Sequence, residues 1–279
     1  NAQGTYVPSP ENIASRQELD EARFGIFIHW GIYAMLGQGE WVMEVEKLPY
    51  SEYSRLMDGF YPSKFNADEW VSAFKSSGAR YMTITSRHHD GFSMFDTKAS
   101  DYKVTNTPFG RDVLKEIADA CHRQNFRLHF YYSHADWGRD DYYPLGESGH
   151  SSGRNPVQPE GSWEHYKQFM DQQLTELLTN YGELGAIWFD GVWDKEDNSR
   201  DEQPELWGLY HQYDLIHSLQ PGCLVGNNHH LDPFDGEDIQ IFERDVPGQN
   251  EAGYSGTAGV STTLALETCQ TMNTSWGYK

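Results

Sequence analysis

The sequence predicts a (β/α)8-type, TIM-like barrel, and three observations carry that prediction. Short apolar runs recur along the chain, each followed by turn residues and then a helical pattern. Their apolar residues occupy consecutive positions and not alternate ones, as in parallel strands covered on both faces. Nearly every run ends in a polar or ionisable group, and a barrel gathers such strand ends on one rim. A doubly wound sheet needs only one or two such ends and a phosphate loop, and neither G-x-G-x-x-G nor G-x-x-x-x-G-K-[ST] occurs.

The first residues, with Pro8 and Pro10, read as an extended N-terminal arm over 1–20, ahead of a barrel domain over 21–279. Phe24 to Trp30 is the first strand run, then Tyr81 to Thr85, Leu128 to Ser133, Ala186 to Asp190, Cys223 to Gly226, Ile239 to Phe242 and Thr263 to Leu266. Asn66 caps a helix that carries Trp70, Val71 and Phe74 on one face and stops before Gly78. Asp112 starts another, with Leu114, Ile117, Ala118 and Cys121 in a stripe. Ser162 to Tyr181 is longer and ends at Gly182, and Pro204 opens a helix that Pro221 closes. A barrel of this type closes with one strand more than these runs supply, so the sequence reads as part of a longer protein.

Composition narrows the partners. The 279 residues hold 42 acidic and 21 basic side chains, for a net charge of −21. Such a surface repels phosphate backbones and anionic lipid. No apolar run approaches the roughly 18 residues of a membrane-spanning helix. Cys121, Cys223 and Cys269 show no C-x-x-C spacing, which argues against a disulfide framework or a zinc knuckle. The many aromatic residues (9 Trp, 17 Tyr and 14 Phe) suggest an aromatic-lined cleft of the kind that binds sugars.

Asp190, in Ile187-Trp188-Phe189-Asp190-Gly191, is the strongest chemical candidate. A carboxylate ending a buried strand between bulky rings is costly to hold charged without a task. A cap for the next helix is the plain alternative, weakened because that helix starts only near Pro204. His88 and His89 point to opposite faces if the strand continues, and converge only if it has ended by Arg87. A partner carboxylate is expected on a later strand end: Asp238, Glu243 or Glu267. A retaining glycosidase holds such a pair about 5–5.5 Å apart. His29, His88, His89, His230 and Asp190 would instead suit a metal-dependent hydrolase barrel, the alternative reading. Against it, the sequence has no H-x-H or H-E-x-x-H spacing, and adjacent histidines chelate poorly. Asp232 to Asp238 lacks the ligand alternation of a calcium loop. Gly149-His150-Ser151-Ser152-Gly153 fits G-x-S-x-G by chance, in a stretch expected to be a mobile loop.

Taken in order, Phe24 to Gly31, Glu40-Trp41, His88 to Phe92, Tyr131-Tyr132-Ser133, Trp188 to Gly191 and Glu267 to Tyr278 resemble glycoside hydrolase family 29, the α-L-fucosidases. The resemblance implies a retaining exo-hydrolase of terminal α-L-fucose that uses no cofactor and no metal. It places the nucleophile on Asp190 and sugar contacts on His29, Glu40, Trp41, His88, His89 and Tyr131 or Tyr132, with Trp188 close by. Glu243 falls on the acid/base position, with Asp238 second and Glu267 third and expected to be structural. The family's usual arginine after the fifth strand is replaced by Asn228-His229-His230. The implied partner is a fucosylated glycan, and periplasm or secretion is the expected compartment from glycan chemistry alone.

Overall fold

The computed structural model describes residues 5–153, 160–195 and 202–279. Seven parallel strands follow one another in chain order: β1 (Gly25–Ile28), β2 (Tyr81–Arg87), β3 (Arg127–Ser133), β4 (Ala186–Asp190), β5 (Leu224–Asn227), β6 (Ile239–Glu243) and β7 (Ala265–Cys269). The sheet curls around a small inner core that includes Tyr131, Trp188, Leu224 and Ile239. A larger outer core lies between sheet and helices, where Ile84, Phe130, Ile187 and Val225 meet Ile117, Leu174 and Ile216. Both faces of the strands are therefore covered, which is why their apolar residues run consecutively.

Among the described residues, β1 and β7 are free edges with no pairing between them. On β7 the inward Ala265, Glu267 and Cys269 are buried while Leu266 and Thr268 are exposed. The architecture is an incomplete (β/α)8 barrel.

The stretch expected as an arm is helical from Pro10: α1 spans Pro10–Ala22. Ser9 Oγ accepts from the Asn12 amide, and a proline in the first turn loses no hydrogen bond because its N–H would be unpaired there anyway. The helix lies under the N-terminal ends of the strands. There Leu19 enters the inner core, Arg16 meets Asp238, and Ser15 receives Arg127 from the start of β3.

The outer helices α2 (Ala67–Ser76) and α3 (Val113–Arg123) begin at the anticipated caps, Asn66 and Asp112. The next, α4 (Ser162–Asn180), packs behind β3. The segment after Pro204 is two helices, α5 (Gln203–Trp207) and α6 (Leu209–Leu219), broken where Gly208 adopts φ 67°. The G-x-S-x-G stretch is a 3-10 turn, His150–Ser152, and it is tied down and not a free loop. Ser148 donates through both amide and hydroxyl to buried Asp194, and the Gly149 amide donates to Glu44. β3 ends at Ser133, well before Gly149, so no strand runs directly into the turn and it is no nucleophile elbow. Arg154 to Pro156 lie outside the described residues.

Candidate active site

The C-terminal ends of the strands open into a cavity of about 420 Å³. Asp190, the last residue of β4, sits on its floor with its side chain 13% exposed. Its carboxylate caps no helix; among the described residues every hydrogen bond to it comes from a side chain. Tyr131 Oη donates to Oδ2 at 2.7 Å, while Trp193 Nε1 at 3.0 Å and Asn228 Nδ2 at 3.3 Å reach Oδ1. His89 Nε2 stands 3.4 Å from Oδ2. Burial alone would push this acid's pKa up, but His89, Tyr131 and Trp193 outweigh it and hold Asp190 well below the usual carboxylate range. These donors favour the ionised form of the group.

β2 ends at Arg87, and a register shift between Thr85 and Arg87 releases the chain into a loop. His88 and His89 therefore both reach the cavity instead of facing opposite ways. His29, just past β1, lines it as well; its Nδ1 and that of His88 are buried with no hydrogen-bond partner among the described residues. Buried donors and acceptors left open in this way are suited to ligand hydroxyls. Glu40 is held by the Gly277 amide at 2.6 Å and by Ser275 Oγ at 2.8 Å. Burial raises its pKa, but His29 and these two donors prevail and keep it below the ordinary value. Trp41 stacks on Trp193, and Trp188 stacks on Tyr131 while its indole N–H goes to Glu267.

Glu243 ends β6 on the facing rim. Asn228 Nδ2 lies 3.1 Å from its Oε2 and 3.3 Å from Asp190 Oδ1, so one amide bridges both carboxylates. The two oxygens are separated by no more than those distances together, the scale of a retaining pair (roughly 5–5.5 Å). His230 Nε2 also meets Glu243, at 3.0 Å.

Three sequence candidates fall outside this cavity. Asp238 lies before β6, at the opposite end of the barrel, buried and bound by Arg16 at 2.6 Å, His217 at 2.7 Å and the Val225 amide at 2.8 Å. Tyr132 points outward between the sheet and α4, where its hydroxyl meets Gln173 and Arg87, because neighbouring residues on a strand face opposite ways. Glu267 is buried inside the barrel beneath the cavity, where it accepts from Trp188 Nε1 and Tyr81 Oη.

Several cavity residues escaped the sequence reading as sugar contacts: Phe27, Trp193, Asn228, Arg244, Tyr254 and Trp276. Phe27 was within reach, two residues before His29 on the same strand face. Arg244 brings a guanidinium to the cavity, with its charge over the Trp276 ring. Among the described residues no three His, Cys, Asp or Glu side chains form a group that could hold a metal ion.

The buried histidines carry a pH consequence. Burial lowers His29 and His134 to about 4 and pushes His88 and His129 well below 6.5. The unfolded chain protonates these rings first, so stability is full above about pH 6.5 and falls as the pH drops towards 4. Asp90, raised to about 6 by burial, opposes this together with Asp112, Asp171 and Glu267, which burial also raises, while Asp190, Glu40 and Asp238, held low, act with the histidines. Thermal melts are expected to show Tm falling by several degrees between pH 6.5 and 5; a flat Tm there contradicts the assignment.

The α-L-fucosidase family profile matches residues 1–279. Human plasma α-L-fucosidase is 30% identical over 234 residues, covering 74% of this chain and 46% of that protein. The chain spans about half the length of the curated relatives it matches. α-L-Fucosidase isoenzyme 1 from Paenibacillus thiaminolyticus has a similar structure, with a TM-score of 0.78 at 32% identity over 96% of this chain and 63% of that one. So does an α-L-fucosidase from Lactobacillus casei solved in complex with α-L-fucose, with a TM-score of 0.73 at 26% identity over 96% and 81%. The whole-chain profile match and the shared fold place this chain in the α-L-fucosidase family.

Proposed function

We propose that the protein is a retaining exo-α-L-fucosidase that releases terminal α-L-fucose from glycans. The observation that carries this reading is the single amide of Asn228 bonded to both Asp190 and Glu243 across a sugar-sized cavity. Asp190, ionised, attacks the anomeric carbon while Glu243 protonates the departing glycosidic oxygen. Water activated by Glu243 then cleaves the fucosyl ester, and two inversions give net retention.

The lining suits the sugar. Fucose has a methyl where most hexoses carry a hydroxymethyl, and Phe27, Trp188 and Trp276 supply apolar surface for it. His29, His88, Glu40 and Tyr131 offer polar atoms to the three hydroxyls. Shape alone discriminates the methyl by only about 1–3 kcal/mol, so the hydroxyl contacts carry most of the selectivity. The expected compartment, periplasmic or extracellular, follows from where such glycans occur.

An aryl α-L-fucoside followed by proton NMR tests the proposal. Free α-L-fucose should appear first and then mutarotate, and EDTA should leave the rate unchanged. Initial release of the β anomer, or no turnover of this substrate or of fucosylated oligosaccharides, overturns it.

A further inference from the structure

Ser133 ends β3, level in register with Asp190 on β4. Its hydroxyl oxygen lies 2.7 Å from the Ala135 carbonyl and 2.6 Å from His89 Nδ1. A hydroxyl carries one proton and a carbonyl carries none, so the Ser133 proton is committed to Ala135. The short contact with His89 then requires the proton between them to sit on Nδ1. The other ring nitrogen, Nε2, faces Asp190 Oδ2. A neutral ring protonated at Nδ1 would turn a lone pair towards that carboxylate; only the imidazolium gives both neighbours a donor. Arg87 secures the arrangement from behind, donating to the Ser133 carbonyl at 2.5 Å.

We propose that Ser133 is a positioning residue for the fucosidase reaction: by holding the His89 proton on Nδ1 it leaves Nε2 able to face Asp190 only as a charged donor. This rests on the nucleophile role given to Asp190. The titratable groups facing His89 are Asp190 from β4, Tyr131 from β3, His29 from β1, and its chain neighbours His88 and Asp90. Burial keeps His29 and His88 neutral, and Asp190 is the cavity carboxylate in contact with His89, at 3.4 Å. In the first step the bond from C1 to the leaving oxygen breaks, the bond from C1 to Asp190 forms, and the Glu243 proton goes to the leaving oxygen. Negative charge thus passes from Asp190 to Glu243 while the imidazolium keeps its proton, and the net charge of the pocket is unchanged by the step.

Nitrogen NMR of the chain labelled with ¹⁵N-histidine tests this directly, with His89 assigned by its absence in His89→Gln. Both ring nitrogens of His89 should be protonated at neutral pH, and Asp190→Asn should strip the proton from Nε2. Ser133→Ala should lower kcat on an aryl fucoside about 10- to 100-fold with KM within a few-fold, the pattern of a misplaced reacting group. Ser133→Thr, which keeps the hydroxyl, should restore most of that loss. A bare Nδ1 in the parent spectrum overturns the proposal, as does a Ser133→Ala variant with the parent's kcat. The spectrum needs no turnover, so it decides the role of Ser133 even if no fucoside is hydrolysed and the functional reading fails.

Discussion

Replacing Asp190 by Ala is expected to lower kcat by about 10⁴-fold or more, the scale at which loss of a nucleophile is felt. The site explains why so little should survive. Tyr131, Trp193, Asn228 and His89 all converge on this one carboxylate. Removing it leaves those donors aimed at empty space and takes away the atom that bonds to the sugar. Azide added to Asp190→Ala could attack the anomeric carbon directly, and one displacement gives inverted β-fucosyl azide, never the retained product. Retained product from this variant, or activity within tenfold of the parent, removes Asp190 from the nucleophile role. The folded population should be checked by the same thermal melts, since the four donors lose a shared partner.

The sequence made the barrel and Asp190 legible for physical reasons. Buried parallel strands write themselves as consecutive apolar runs, and Asp190 interrupts such a run where water is excluded. Tyr131 and Tyr132 could not be separated the same way. Alternation guarantees that one faces the cavity and the other the helices, but with rings at both positions nothing local sets the phase. The start of α1 was legible and was misread: Ser9-Pro10 is a cap followed by a first-turn proline, a helix start and not an extended arm. Trp276 and Arg244 were beyond reach. They enter the cavity through contacts between segments far apart in sequence, Trp276 against Phe27 and His29 and Arg244 over Trp276.

Glu243 and Asp238 stand five residues apart at opposite ends of β6, and the strand rule that would have ranked them is that chemistry gathers at the C-terminal end. Their variants should differ in kind. Glu243→Ala removes the proton donor, so substrates with poor leaving groups should slow about 10²- to 10⁴-fold. An activated aryl fucoside should still form the ester, and azide, needing no base, should then restore turnover and yield retained α-fucosyl azide. Asp238→Ala should show no azide rescue. It strands Arg16 and His217 and frees the Val225 amide, at the junction of α1 with β5 and β6. Removing one partner of a buried ion pair costs about 3–5 kcal/mol, so the effect should appear as a lowered Tm. Azide rescue in Asp238→Ala with none in Glu243→Ala would reverse the assignment, and no choice of rotamer could reconcile that result with an Asp238 bound beneath the barrel.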